Sequence, residues 1–162
     1  MKTEKFVFHQ AMLKDVDQML ILINRNARIG KMLPKSKKQI FDLLFNYFVA
    51  VMGDKVIGTC GCKVWADQSV EIISLATLTR FQHQGVGTRL IQSNLEKCQA
   101  LGFNRFFAMT VAATVFTKLK FKRVHYSKLW FKVWVDCAAC PRNLSGPGDK
   151  LCDEKAVELI LG

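Results

Sequence analysis

The sequence predicts an α/β (α+β) fold in which a mixed, mostly antiparallel central sheet of about seven strands is flanked by about four helices. The first observation is the order of periodic segments, β-α-α-β-β-β-α-β-α-β-β, which follows from the spacing of apolar residues. The second is Gly53-Asp54, a hairpin signal between two strand-like runs. Because hairpins join antiparallel strands, they exclude a purely parallel, doubly wound sheet.

The N-terminal half is predicted to contain a strand, two helices and the hairpin. Ser36 is suited to cap the second helix, because its hydroxyl can accept from an N–H group of the first turn. Cys60 and Cys62 alternate within an apolar strand and are expected in the core. The predicted elements are a strand at 5–9, helices at 14–27 and 35–47, and the hairpin strands within 47–66.

The C-terminal half alternates strands and helices before a loop-rich tail. Gly102 suits the position after the last turn of a helix that opens at Gly85. Aromatic residues at 129–136 indicate strand core, namely Trp130, Phe131 and Trp134. The predicted elements are a strand at 69–78, a helix at 85–101, a strand at 104–111, a helix at 112–121, paired strands at 122–127 and 129–136, and a short helix near 152–161.

Length and composition indicate one domain over residues 1–162, with 137–162 as a cysteine-containing extension. No apolar run is long enough for a bilayer, and the N-terminus lacks the apolar stretch of a secretory signal, so a cytoplasmic protein is expected. The net charge of +11 favours anionic partners. The basic residues are scattered, however, so neither nucleic acid nor a membrane is expected as a partner.

The stretch FQHQGVGTRL, residues 81–90, places Gly85 and Gly87 at the predicted start of a helix. A helix start presents unpaired backbone N–H groups and the positive end of the helix dipole. Glycine there allows an anion to approach the backbone closely. The Gly-Lys-Ser/Thr ending of a P-loop is absent, so the stretch predicts an anion site of another kind.

The element order and the motif QHQGVG at 82–87 resemble the GNAT N-acetyltransferase superfamily, whose signature is Q/R-x-x-G-x-G/A between the fourth strand and the third helix. The resemblance extends over roughly residues 5–135 and implies the GNAT fold. It implies that backbone N–H groups of this loop hold the pyrophosphate of the co-substrate acetyl-CoA, and that the end of the preceding strand pairs with the pantetheine arm. The residues so implied are Leu75, Ala76, Thr77, Gln82, His83, Gln84, Gly85, Val86, Gly87 and Thr88.

Three further segments resemble the short, stand-alone N-acetylglutamate synthase-type acetyltransferases. These segments are KMLPKS at 31–36, EIISLA at 71–76, and KVWVDCAACPRN with LCDE within 132–154. The resemblance implies acetyl transfer to the α-amine of an amino acid, L-glutamate, at the first step of arginine biosynthesis. For binding this acceptor, Lys35 and Ser36 are favoured, with Arg28 a weaker candidate.

The sequence departs from this narrower pattern at several positions. Ile73 stands where the pattern EIRSLA has an arginine that can clamp a carboxylate by two hydrogen bonds, and Lys35 replaces another arginine. Lys120 interrupts the usual Leu-Gly-Phe, and residues 142–150 lengthen the cysteine segment. Other interpretations therefore stay open: another small amine or a protein N-terminus as the acceptor, or a non-catalytic acyl-CoA-binding module. The positive net charge argues against cationic acceptors.

Acetyl transfer to an amine needs a base, a polarised carbonyl and a protonated leaving thiolate. Glu71, on the strand beside the expected thioester, is the candidate base, acting directly or through water. Backbone N–H groups near Ala76 and Thr77 are candidates for polarising the carbonyl. No acid is assigned: Phe116 stands where many GNAT enzymes have a tyrosine, Tyr126 is the next in sequence, and solvent can also protonate the thiolate.

Cys137, Cys140 and Cys152 place three thiols in the tail. Zinc requires four ligands, or three and a water, and a fourth cysteine is missing, although Asp153, Glu154 or a histidine could serve. Metal ligation and ordinary thiols therefore both stay open. The hydrophobic segment 157–161 also has two interpretations, a homodimer contact or part of the chain's own core.

Overall fold

The computed structural model describes residues 5–140 and 153–162, which form a seven-stranded sheet. The strands are β1 (Val7–Gln10), β2 (Tyr47–Met52), β3 (Lys55–Val64), β4 (Val70–Thr77), β5 (Arg105–Thr110), β6 (Lys122–Val124) and β7 (Lys155–Ile160). Their order across the sheet is β1-β2-β3-β4-β5-β7-β6, and every neighbouring pair is antiparallel except β4 and β5. This mixed, mostly antiparallel sheet confirms the predicted fold class.

Helices pack on both faces of the sheet. They are α1 (Val16–Arg28), α2 (Lys37–Asp42), α3 (Val86–Ala100), α4 (Ala113–Thr117) and α5 (Trp130–Lys132). Met19 of α1 and Ile40 of α2 pack with Val49 on one face, whereas Leu90 of α3 packs with Ala50 on the other. Successive residues of a strand point to opposite faces, so β2 contributes to both layers. Among the helices that the described residues form, none is long and apolar enough to cross a membrane.

Short-range predictions are confirmed where local chemistry specifies them. Ser36 caps α2: its Oγ accepts from the N–H of Gln39 at 3.2 Å, and the Gln39 side chain accepts from the N–H of Ser36 at 2.8 Å. Gly102 follows the last turn of α3. Cys60 and Cys62 are buried in the core, as their alternation in β3 predicts.

Residues 129–136 are helical, so the prediction of a strand there is wrong. α5 lies between a 3-10 turn at Tyr126–Leu129 and a π-helical turn at Val133–Cys137. Trp130, Phe131 and Trp134 therefore do not lie on a strand. Phe131 nevertheless packs against a buried cluster that includes Trp65 and Phe107. Aromatic and β-branched residues favour strands locally, but the helical path brings Lys132 within 2.8 Å of Asp136, four residues on.

The short helix predicted near 152–161 is also wrong, because Lys155–Ile160 forms β7 in the interior of the sheet. β6 accordingly pairs with β7 and not with 129–136. β5 and β6 are one strand apart, and only an extended segment between them can satisfy the backbone groups of both edges. Val157 and Leu159 are buried, so this segment contributes to the chain's own core.

The sheet opens between β4 and β5. Their parallel pairing covers Val70 with Phe106 and Glu71 with Phe107, while β4 continues as far as Thr77. In the described part of the chain, no strand lies along β4 on this side beyond Glu71. The backbone groups of this stretch are therefore available to an extended ligand.

Candidate active site

A long cleft follows the opening between β4 and β5, and we call it the glycine cleft. It has a volume of about 370 Å³ and is bounded by the end of β4, the loop before α3, the end of β5 and α4. It brings together most of the residues expected to bind the coenzyme: Leu75, Ala76, Thr77, Gln82, His83, Gly85, Gly87 and Thr88. The opposite wall, which sequence reasoning did not assign to the site, contains Thr110, Val111, Ala112, Thr114, Val115 and Lys118.

The backbone at Gly85 shapes the loop beside this cleft. Gly85 precedes α3 with φ of +81°, a left-handed conformation that glycine adopts at little steric cost. The first turn of α3 lies at the glycine cleft, where Gly87 and Thr88 line it. The first N–H groups of a helix have no acceptor within the helix. The Gln82 side-chain amide donates to the carbonyl of Thr77 at 3.3 Å, which ties the loop to the end of β4. The side chain of His83 is exposed.

Two of the expected coenzyme-binding residues have side chains outside the glycine cleft. Gln84 is exposed, and its amide donates to the carbonyl of Arg80 at 2.9 Å. Val86 is 1% exposed and lies against Gly58 of β3. Val86 is the first residue of α3, and its inward side chain holds the start of the helix on the sheet.

A second, smaller cleft of about 140 Å³ adjoins the first, and we call it the lysine cleft. Among the described residues, its charged lining consists of Lys31, Lys35 and Lys132 together with Glu71, Asp136 and Glu154, and Ile73 lies among them. The two clefts share Lys31, Met32, Leu75 and Thr110. The two clefts therefore adjoin each other, with the end of β4 at their junction, and together we call them the groove.

A network of paired charges surrounds Glu71, the candidate base, which is 4% exposed. Lys132 Nζ lies 2.8 Å from Glu71 Oε1, and the Trp65 indole N–H donates to Glu71 Oε2 at 3.0 Å. Lys132 Nζ is also 2.8 Å from Asp136 Oδ2, and Lys63 Nζ lies 3.5 Å from the same oxygen. Pairing of this kind offsets the cost of taking charges out of water.

The pKa values of Lys35 and Lys132 are shifted in opposite directions. Burial alone would lower the pKa of Lys132, but the charge of Glu71 and hydrogen bonds to Asp136 and Glu71 outweigh it and raise the pKa above its ordinary value. Burial would raise the pKa of Asp136, but Lys132 holds it below its usual range. For Lys35, burial and then the charge of Lys132 lower the pKa. An anion placed beside the Lys35 ammonium would oppose the effect of the Lys132 charge.

The structure brings Lys35 to the lysine cleft but not Ser36. The backbone of Lys35 is held by Asn24, whose side chain accepts from its N–H and donates to its carbonyl, both at 2.9 Å. Among the ion pairs of the described residues, none includes the Lys35 ammonium. The Ser36 hydroxyl caps α2, and Arg28 lines a separate depression on α1.

Sequence reasoning did not assign Lys132, Asp136 or Trp65 to the site. The spacing of Lys132 and Asp136 could have indicated their contact, because residues four apart lie side by side on one face of a helix. The prediction of a strand at 129–136 excluded this contact, because residues four apart in a strand are separated by about 13 Å. No local pattern in the sequence indicates that Trp65 donates to Glu71.

The described residues that line the two clefts include no tyrosine. Phe116 lines the lysine cleft, and Tyr126 lies in a depression beside β6 and β7. Cys137 and Cys140 line the lysine cleft, whereas Cys152 is outside the described residues. Within 5–140 and 153–162, no three His, Cys, Asp or Glu side chains are grouped so that they could hold a metal ion.

This fold and this groove agree with the family that the chain matches. The model of the acetyltransferase (GNAT) family matches residues 19–121, and the chain belongs to that family. An uncharacterized N-acetyltransferase of Chlorobaculum tepidum is 29% identical over 147 residues, which cover 91% of each protein.

Two solved structures have similar folds. Rv2747 from Mycobacterium tuberculosis, in complex with CoA and NLQ, has a TM-score of 0.79 at 20% identity, over 96% of this chain and 99% of that one. N-acetylglutamate synthase from Neisseria gonorrhoeae, complexed with coenzyme A and N-acetyl-glutamate, has a TM-score of 0.78 at 18% identity. The similarity covers 99% of this chain, which spans 36% of the length of that synthase.

Proposed function

We propose that this protein is an acetyl-CoA-dependent N-acetyltransferase that acetylates the α-amine of an amino acid, L-glutamate. The observation that carries the proposal is the adjacency of the two clefts: the glycine cleft beside Gly85 and Gly87 adjoins the lysine cleft, which Glu71 lines. The family match supports the reaction type. The two similar structures, solved with CoA and with a second ligand, support a pair of adjoining sites.

The glycine cleft is suited to acetyl-CoA. The free N–H groups at the start of α3 would receive the pyrophosphate, because the helix dipole and the unpaired donors both favour an anion there. The edge of β4 beyond Glu71 would pair with the amides of the pantetheine arm as an added strand does. This arrangement directs the thioester along the end of β4 towards the lysine cleft.

The lysine cleft is suited to an acceptor that carries carboxylates. Lys35 supplies an ammonium without an ion-pair partner among the described residues, and Lys31 lies at the junction of the clefts. The net charge of +11 disfavours cationic acceptors. L-glutamate fits this charge, and its acetylation would begin arginine biosynthesis. In this proposal, Lys35 binds the acceptor carboxylate in place of the arginine that the family pattern has at position 73, where this chain has Ile73.

In the proposed reaction, Glu71 accepts a proton from the acceptor ammonium, directly or through a water molecule. The amine nitrogen then attacks the thioester carbonyl carbon, whose oxygen is polarised by backbone N–H groups near Ala76 and Thr77. The carbon–sulfur bond breaks and the electron pair leaves with sulfur. The nitrogen releases its second proton to solvent to become the amide, and the thiolate takes a proton from solvent. The products are the N-acetyl amino acid and coenzyme A.

Titration calorimetry with acetyl-CoA, followed by a thiol-release assay across the standard amino acids and several polyamines, tests the proposal. We expect acetyl-CoA to bind and L-glutamate to give the highest kcat/KM. Binding without turnover on any amine would contradict the enzyme and favour a non-catalytic module. Turnover confined to a polyamine or a peptide N-terminus would contradict the amino-acid acceptor.

Glu71→Gln tests the proposed base. The amide is nearly isosteric but cannot take up the proton, so we expect kcat to fall about 100-fold while the acetyl-CoA dissociation constant changes little. Glu96→Gln, on the exposed side of α3, is the matched control and should retain full activity. An unchanged kcat in Glu71→Gln would remove Glu71 from the reaction.

A further inference from the structure

A part-buried hydrogen bond between β2 and β4 reaches the lysine cleft, which Ser74 lines. Tyr47 Oη and Ser74 Oγ are 3.0 Å apart, and either hydroxyl can donate. Tyr47, at the start of β2, has no exposed surface. Ser74 lies on β4 between Glu71 and the stretch Leu75–Thr77 that lines the glycine cleft. The bond therefore joins the buried Tyr47 to β4, the strand that lines both the lysine cleft and the glycine cleft.

The backbone of Ser74 adopts an unfavourable conformation that other contacts must stabilise. Its φ is +52°, in the left-handed region that is unfavourable for a residue with a Cβ atom. The cause is a bulge: Thr59 pairs with Ala76 and Gly61 with Ile73, so β4 contains one residue more than β3 over this interval. The bulge turns the backbone at the point where the glycine cleft meets the lysine cleft.

The path of Tyr47 to Ser74 depends on Gly61. Tyr47 on β2 pairs with Gly61 on β3, and its ring passes over that glycine to reach β4. A Cβ atom on Gly61 would lie 2.7–2.9 Å from the Tyr47 ring, which is too close for any side chain. Three neighbouring strands thus contribute one residue each to this arrangement.

We propose that Tyr47 is a positioning residue for acetyl transfer: its hydroxyl holds Ser74 in the left-handed conformation and so sets the orientation of Leu75–Thr77 beside the thioester. This inference rests on the proposed function. Tyr47 itself contacts neither cleft, so it acts through Ser74. Its hydroxyl stays protonated at working pH, because burial raises the pKa of Tyr47 to about 12.

A double-mutant cycle separates positioning from mere stability. Tyr47→Phe removes the hydroxyl and keeps the buried ring, and Ser74→Ala removes the other partner. Ser74→Gly removes the need for the bond, since glycine adopts a positive φ at little cost. Each Ser74 variant is made with and without Tyr47→Phe. Tyr126→Phe, at the chain's other tyrosine, is the matched control.

We expect Tyr47→Phe to lower kcat about tenfold in the Ser74 background, with the KM for acetyl-CoA changed less than about twofold, because a displaced β4 affects the transition state more than coenzyme binding. In the Ser74→Gly and Ser74→Ala backgrounds, Tyr47→Phe should change kcat less than about twofold. An unchanged kcat in Tyr47→Phe, or an equal loss in all three backgrounds, would overturn the proposal.

Hydrogen exchange provides a readout that does not depend on turnover. Tyr47→Phe should raise amide exchange in a peptide covering residues 70–78 and leave exchange in residues 86–100 unchanged. If the wild-type protein transferred no acetyl group, the proposed function would fail, and this measurement would still decide whether Tyr47 holds the bulge. Equal exchange at 70–78 in both proteins would contradict that role.

Discussion

At the scale of single residues, Lys35 and Lys132, two of the three described lysines that line the lysine cleft, are held by different contacts. Lys132, whose side chain is 17% exposed, lies 2.8 Å from both Glu71 and Asp136. Lys35 has its backbone fixed by Asn24, and the charge of Lys132 opposes its own. Lys132 is therefore part of the framework of the site, whereas Lys35 is available for an anionic acceptor.

We expect Lys132→Met to lower the free energy of unfolding by about 3 kcal/mol, because it leaves the buried Glu71 carboxylate without its ammonium. Chemical denaturation at neutral pH measures this loss. Lys38→Met is the matched control: it breaks an exposed pair with Asp42, also four residues apart, and should cost less than about 0.5 kcal/mol. Equal losses in the two variants would contradict the buried network.

Lys35→Met should raise the KM for L-glutamate about tenfold or more without lowering the melting temperature, because folding already disfavours the Lys35 ammonium. The lowered pKa of Lys35 determines how glutamate binding should change with pH. In the wild-type protein the ammonium is lost at a lower pH than an ordinary lysine loses it, so glutamate binding weakens as the pH rises towards that value.

The pH profile of the glutamate KM tests this assignment. Lys35→Met should lack the alkaline rise that the wild-type protein shows. Lys55→Met, at an exposed lysine that lines neither cleft, should keep it. Identical profiles for wild type and Lys35→Met would exclude Lys35 as the acceptor-binding lysine.

At the scale of elements, the start of α3 combines two glycines with different roles. Gly85 has φ of +81° and open space around its Cα, so its contribution is conformational. A Cβ atom on Gly87 would meet Leu75 and Val115 at 3.7 Å, and both of these side chains line the glycine cleft. Gly87 therefore contributes the space that a ligand needs, and its replacement by alanine causes no clash within the protein.

We expect Gly85→Ala to destabilise the fold by about 1 kcal/mol and to weaken acetyl-CoA binding. Gly53→Ala, at φ of +59° in the β2–β3 turn, is the matched control: it should cost similar stability and leave acetyl-CoA binding unchanged. Gly87→Ala should show the converse, with a nearly unchanged melting temperature and a dissociation constant raised about fivefold or more. Calorimetry and thermal denaturation measure the two quantities separately.

At the scale of the whole molecule, positive charge and the shape of the groove act together. The net charge of +11 favours a phosphorylated coenzyme, and it would also attract the proposed carboxylate acceptor to the adjoining cleft. The sheet itself links both parts of the described chain, because β7 from 153–162 lies between β5 and β6. We propose on this ground that residues 1–162 act as one domain.

The kcat/KM for acetyl-CoA should fall several-fold when the salt concentration is raised from about 50 mM to about 500 mM, because salt screens long-range attraction. Initial rates at limiting acetyl-CoA measure this effect. The melting temperature over the same range serves as the control and should change little. A rate independent of salt would contradict electrostatic steering by the net charge.

Local signals in the sequence were sufficient for the fold class and for one wall of the groove. Gly85 and Gly87 indicate an anion site because the chemistry of a helix start is contained within a few consecutive residues. Ser36 indicates a helix cap for the same reason, and the structure shows its hydroxyl used for that purpose. Alternation in β3 placed Cys60 and Cys62 in the core.

Long-range contacts decided the remainder. Residues 155–160 form a strand because they pair with the edges of both β5 and β6. Residues 129–136 are helical, and this conformation accompanies the pairing of Lys132 with Glu71 and Asp136. The opposite wall of the glycine cleft and the bond from Tyr47 to Ser74 also join residues distant in sequence. A periodic pattern reports what each segment prefers by itself, whereas the pairing of buried charges and strand edges depends on which segments the completed fold places side by side.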